Sequence, residues 1–451
     1  MSKSWIAFAA LAFALTFPSL CIAGQQPAAP SSQAQSNSGT PAPPTRLANE
    51  TSRKVTAYTL PPDLYKKAHD KSKIDFRLAL IGFVYGLLVL WIILRWRLGA
   101  KYRDWAEGTS GMRFVQALVF SPLFLLTVAV FTLPLDIYSE TIEKEYGISV
   151  QAWGSWSWDW VKAQLISIVI FTVLIWILYV VVRRSPRRWW FYFWLVTLPI
   201  IVFIFFISPW VIAPLFNKFE PLQQKNPQLT ADLEKMVQRA GEDIPPDRMF
   251  WMGAAEKTNA LNAYVTGMGS SKRIVVYDTT IAKMDPQQIV FVAGHEMGHY
   301  VLHHVYKSLA LFALVFLFFF YLGYRLIGWV LSRWGSGWGI RGLDDWASLP
   351  ALVLLLLVFT FLSNPLLNAI SRHYEHQADQ YGLEVTHGLT PESGQVAAQS
   401  FQILGEVDLA DPAPNPVDVF LFYSHPSIPE RIQFSLTYNP WAHGATGEFV
   451  K

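Results

Sequence analysis

Cysteine is almost absent: Cys21 is the only one in 451 residues. No disulfide can form within the chain, so cysteine usage does not report the redox compartment. A metal site would have to do without thiolates and rely on His, Asp and Glu. Charge is scarce as well. Asp, Glu, Lys and Arg make up 15% of the chain, against about 25% in an ordinary soluble domain. The net charge is only +3, and no basic stripe or nucleic-acid motif is found, which sets nucleic acid aside as a partner.

What fills the chain instead is apolar and aromatic: 52% hydrophobic residues, with 19 Trp and 31 Phe. Six long apolar runs lie near 78–96, 114–135, 163–182, 189–216, 308–332 and 348–370. Each has about 20 residues or more, enough to cross a bilayer as a helix. The lipid bilayer is therefore the first partner. Ahead of the runs, residues 1–24 read as a signal peptide or a first membrane span, with Lys3 before an apolar core from Trp5 to Leu15. Residues 25–57, rich in Pro, Gln and Ser, read as a flexible tail. The expected organisation is an N-terminal membrane domain of four spans at 58–216, a first catalytic part at 217–307, a two-span membrane hairpin at 308–371 and a second catalytic part at 372–451.

Chemistry concentrates in the two polar parts. Asp285, Pro286 and Gln288 form a strong helix start, and the apolar series that follows leads into His295-Glu296-Met297-Gly298-His299. Two histidines four apart on a helix project from one face and can share one ion. Glu296 lies beside them, where it can take a proton from a water that zinc has made acidic, with a pKa of about 7. A catalytic zinc needs a third protein ligand and an open position. His303 and His304 follow closely but read as solvated helix residues. The better source is Ser371 to Asp379, where Glu375 and Asp379 are again four apart. One can bind the metal while the other orients a ligand imidazole, and Glu375 is the preferred ligand over its rivals His373 and His376. Both motifs lie within roughly 15 Å of a bilayer boundary. The hairpin between them returns the chain to the side it left, so one Zn²⁺ would sit at the mouth of the bundle.

Seven stretches in order now resemble the type-1 CAAX prenyl endopeptidase family, integral membrane zinc proteases. They are Thr59–Leu64, Ile212–Phe219, Asn262–Gly267, Lys272–Thr279, Gly294–His299, Ser371–Glu375 with Ala378 and Asp379, and Ser424–Ser427 with Arg431. The resemblance implies a mainly α fold: a polytopic helix bundle of six or seven spans around a chamber, with a zinc metalloprotease domain carrying a small β-sheet. It implies His295, His299 and Glu375 as ligands, Glu296 as base and Asp379 as the holder of a ligand histidine. His425 and Arg431 would face the scissile carbonyl and stabilise its oxyanion. Asn262, Ala263 and Tyr264 would hold a peptide or protein substrate. An exposed strand edge at 272–277, with Ile274, Val275 and Val276, would add the substrate as a further strand.

The signal-like start and long Pro/Gln/Ser tail look bacterial, which points to a bacterial inner membrane and away from a prenylated substrate. The arginines at 183, 184, 187 and 188 place their short loop in the cytoplasm by the positive-inside rule. Counting spans from there puts both catalytic parts outside, whereas eukaryotic relatives place them in the cytosol. Two other functions fit less well. A quality-control protease for misfolded membrane proteins shares the zinc motifs but usually has fewer spans. A transporter or scaffold with a vestigial metal site is weakened because only Arg95 and Arg325 put charge inside the apolar runs, each near an end.

Overall fold

The computed structural model describes residues 54–267 and 271–451. The expected leader at 1–24, and all but the end of the expected tail at 25–57, lie outside the described residues. Helices α1 (Pro62–Arg95), α2 (Leu98–Thr109), α3 (Arg113–Glu145), α4 (Trp153–Arg184) and α5 (Trp189–Ile207) make up the first half. The helical path of α5 continues through a π turn at Ser208–Ile212 as far as Phe216. The first part expected to be catalytic follows with β1 (Lys218–Pro221), α6 (Pro227–Arg239), β2 (Met249–Gly253), β3 (Ala263–Thr266), β4 (Arg273–Tyr277), α7 (Asp278–Lys283) and α8 (Pro286–Val301). The chain then runs through α9 (His304–Val330), α10 (Leu349–Thr386), α11 (Ser393–Val407), α12 (Pro416–Phe422) and α13 (Ile428–Thr437).

All six apolar runs fall in helices long and apolar enough to cross a membrane: α1, α3, α4, α5, α9 and α10 with their extensions. Their outer faces explain why. Val84, Val169, Leu314 and Leu362 each leave 61–70% of their surface open. In water that would be a large exposed apolar patch, whereas against acyl chains it costs nothing. The inner faces close on a core that includes Leu90, Phe120, Tyr179 and Trp346.

α10 has 38 residues, about 57 Å at 1.5 Å per residue. The hydrocarbon layer is only about 30 Å thick, so the C-terminal turns of α10 stand clear of it. The boundary expected at 371–372 therefore falls inside one continuous helix. A membrane-crossing rod carries Glu375 and Asp379 into the catalytic part.

The sheet has the order β1-β2-β4-β3, antiparallel except for the β2–β4 pair. This corrects the expected substrate edge. The run at 272–277 is a strand, but β4 is paired on both sides, and Ile274, Val275 and Val276 are completely buried. Their backbone groups are already used in two ladders, so no peptide can add there. Among the described residues β1 and β3 are the two edge strands, and β3 is the one beside the motif helix.

Ile274 and Val276 pack with Ile289, Val290, Ala293 and Met297 of α8. That places the motif helix across the sheet, while α10 packs against the motif helix itself. The capping box of Asp285 and Gln288 forms as the sequence suggests.

Glycines set the α8–α10 crossing. A β-carbon on Gly298 would lie 2.9 Å from the Tyr381 β-carbon, and one on Gly382 would lie 3.1 Å from the His295 backbone nitrogen. Gly298→Val should drive the helices apart. Overpacking of this kind costs about 1–3 kcal/mol, so thermal unfolding in detergent should show a lower midpoint, and metal analysis a lower metal content, than in the native protein.

Candidate metal centre

Among the described residues, one group of His, Cys, Asp and Glu side chains could hold a metal ion: His295, His299 and Glu375, all buried. His295 and His299 stand one turn apart on α8, as their spacing requires. Their Nε2 atoms face each other at 3.3 Å. Glu375 on α10 completes the triangle, with Oε2 3.2 Å from His295 Nε2 and Oε1 3.5 Å from His299 Nε2. A four-coordinate ion with bonds of about 2.0–2.1 Å needs ligand atoms about 3.3–3.4 Å apart. The two imidazole nitrogens lie at that spacing, and each has one of the two Glu375 carboxylate oxygens at 3.2–3.5 Å, so the three side chains converge as a shared ion requires.

The donor chemistry agrees. Glu375 Oε2 is buried and makes no hydrogen bond of acceptable geometry. A buried carboxylate oxygen left that way is costly, and a cation among these three donors would satisfy it. Burial pushes the His299 imidazole down to about 3, so it is neutral and offers a lone pair. For His295, burial also pulls downward, but hydrogen bonding to Asp379 and Glu375 prevails and the group is raised to about 9, so a metal at Nε2 would take the place of a proton there.

A second layer holds this triangle. His295 Nδ1 lies 2.8 Å from Asp379 Oδ1. Asp379 is gripped in turn by Arg431, through Nε at 2.9 Å and one terminal nitrogen at 2.5 Å. Two parallel charge-assisted hydrogen bonds fix a carboxylate in plane and in rotation. Arg431 is itself buried, stacks over Phe401 at 4.2 Å and stands 3.9 Å from Glu375 Oε2. It reaches the site from α13, whose start is set by a capping box of Ser427 and Glu430. His425 comes from the loop just before. Its Nε2 is 3.3 Å from Glu375 Oε1, its Nδ1 is 2.9 Å from Ser424 Oγ, and its side chain keeps 29% of its surface open.

Glu296 follows His295 on α8. Burial pushes its carboxyl up to about 8, although a hydrogen bond with the Val265 backbone works the other way. A carboxyl titrating near neutrality can both accept and return a proton. Val265 belongs to β3, so the acid and that sheet edge adjoin. Asn262 stands at the head of β3, its carbonyl accepting from the Tyr277 amide and its own amide bonded to Thr280 Oγ1. Its side-chain amide is turned to the buried Tyr277 hydroxyl. Ala263 and Tyr264 follow on the edge strand.

Of the residues named from sequence, the structure brings His295, Glu296, His299, Glu375, Asp379, His425 and Arg431 into one cluster, with the 262–265 edge beside it. Ile274, Val275 and Val276 are not brought in. His303 and His373 are exposed, and His376 packs on Phe434. His304 was passed over as a solvated residue, yet it is fully buried with Nδ1 3.2 Å from His299 Nδ1. The signal that could have found it is its place just past the motif helix, where the chain must turn to enter the membrane.

Bound metal should stabilise the fold, because an ion that binds only the native state adds about 2.7 kcal/mol at a hundred times its dissociation constant. Chelation should therefore lower the unfolding midpoint of the native protein. Glu375→Ala should show no such dependence, as judged by thermal unfolding with and without added metal.

The fold and the site have counterparts among known proteins. The chain matches Peptidase family M48 over residues 223–438 and the CAAX prenyl protease N-terminal region, described as five membrane helices, over residues 42–218. It is 40% identical to the uncharacterized metalloprotease YhfN of Bacillus subtilis, over 81% of this chain and 84% of that protein. It is 26% identical to the human CAAX prenyl protease 1 homolog, over 81% of this chain and 83% of that protein. The crystal structure of S. mikatae Ste24p superposes with a TM-score of 0.70 at 21% identity, covering 96% of this chain and 97% of that one.

Proposed function

The chain belongs to peptidase family M48 and is a multi-pass membrane metalloprotease, and from that premise we propose that it is a zinc-dependent endopeptidase working at the bilayer surface. The observation that carries the zinc assignment is the buried convergence of His295, His299 and Glu375, the imidazole Nε2 atoms 3.3 Å apart and each 3.2–3.5 Å from one Glu375 oxygen. When bound there, zinc supplies Lewis acidity, polarising a peptide carbonyl and making a water acidic near neutral pH.

The chain's own residues do the rest. An extended substrate segment pairs with the outer edge of β3, beginning at Ala263, whose backbone groups turn away from β4. Edge pairing reads main chain rather than side chains, so it favours peptides of little sequence demand. Glu296 removes the proton from the attacking water and delivers it to the departing amine nitrogen. His425, on the open side of the cluster, donates to the carbonyl oxygen as negative charge develops. Arg431 adds its fixed positive charge 3.9 Å from Glu375, while its two bonds to Asp379 hold the His295 ring in place.

We place the site outside the cytoplasm, in a bacterial inner membrane. The ends of the spans away from the metal centre are joined by short connections bearing Arg97, Lys101, Arg184, Arg187, Arg188 and Arg341. Short basic loops stay in the cytoplasm. Substrates would then be polypeptides presented at the outer face. The names of the eukaryotic relatives concern prenylated proteins, and nothing in the β3 edge requires a prenyl group.

Glu296→Gln should abolish peptide cleavage, a loss of at least about 100-fold, while keeping the native zinc content. Full turnover in that variant would remove the mechanism. Alkaline phosphatase fused after Lys451 should be active and a fluorescent protein at the same point dark. The reverse pattern would place the site in the cytosol.

A further inference from the structure

His304 is the one buried histidine near the metal centre to which the proposed mechanism gives no work. The geometry points to a positioning role: His304 and Gln377 together fix the ring of His299, as Asp379 fixes that of His295. This rests on the reading of His299 as a metal ligand.

The proton bookkeeping admits one arrangement. His299 turns Nε2 toward His295 and Glu375. An imidazole that binds metal through Nε2 carries its proton on Nδ1. That N–H points at His304 Nδ1, 3.2 Å away, which must therefore accept. The proton of His304 is then on Nε2, and 3.1 Å from it is the Gln377 side-chain oxygen, which accepts. With the opposite tautomer of His304, two donors would meet at its Nδ1 and two acceptors at its Nε2. The Gln377 oxygen thus selects the tautomer of His304, and His304 selects that of His299.

Rotation is fixed too. The Tyr374 ring stacks on His304 at 4.5 Å and 14°, and His304 has no exposed surface. Bringing it there takes a deliberate turn. On an uninterrupted helix, position 304 would sit about 140° round the axis from position 299. The chain instead breaks between α8 and α9 at His303, whose φ of 58° lies in the left-handed region that a β-carbon disfavours. Such backbone is kept where its surroundings over-determine it. Here the turn folds His304 back beneath His299.

The two ligand histidines are therefore held differently, His295 by a carboxylate and His299 by a neutral relay. Asp379 and Gln377 both come from α10, which also supplies Glu375, while His304 stands at the start of α9. α10 thus holds His295 directly and His299 through His304.

The test uses the full-length protein in lipid nanodiscs, with zinc affinity measured by chelator competition. His304→Ala and Gln377→Leu should raise the zinc dissociation constant about 10- to 100-fold. Gln377→Glu keeps an acceptor at that place and should stay within about threefold of native. The unfolding midpoint of metal-stripped Gln377→Leu should equal that of the metal-stripped native protein, which a packing role would not predict. If His304→Ala and Gln377→Leu bind zinc like the native protein while His299→Ala loses it, the relay is overturned and the ligand assignment stands. If His299→Ala itself binds zinc as the native protein does, the ligand assignment is overturned and the relay with it.

Discussion

The structure depends on one close crossing, that of α8 with α10. Two imidazoles and a carboxylate can share an ion only if their helix axes approach to within a side chain's reach, and here glycines remove the side chains that would prevent it. Gly298 faces the base of Tyr381, and Gly382 faces the backbone at His295. The same contact delivers Asp379 to His295 and Gln377 to His304. Metal geometry, second-layer hydrogen bonding and domain packing are therefore one constraint rather than three. A change that widens the crossing weakens all of them together.

Much of this could be read in the sequence, because the helix period turns spacing into geometry. Two histidines four apart must share a face, and so must Glu375 and Asp379. The six spans were legible because the length of an apolar run is a direct measure of bilayer thickness. Arg431 was harder to place. Its ion pair with Asp379 joins residues 52 apart, and no local pattern announces it. In sequence it is a surface charge, and only the family resemblance drew it toward the site.

The strand at 273–277 shows the limit from the other side. Ile274, Val275 and Val276 identify a strand through β-branching, but pairing partners are not written in a strand's own residues. An unbroken apolar run is the mark of a strand covered on both faces, and that signal argued for an interior position. The edge beside the motif helix falls to β3, a four-residue strand of mixed character with little periodicity to detect. His304 was hidden for a different reason. Its burial follows from a left-handed turn at a non-glycine residue, which propensity does not foresee.

α10 passes without interruption from the hydrocarbon layer to the metal, and α9 begins one residue past a turn that abuts it. From Leu349 to Glu375 the helix is about 39 Å long, with Pro365 inside it, where the missing N–H leaves a point at which the helix can bend. Membrane helices answer a change in bilayer thickness by tilting. A change of tilt in α10 would act on the helix that carries Glu375, and Pro365 is the place where it could be absorbed before it reaches the crossing with α8.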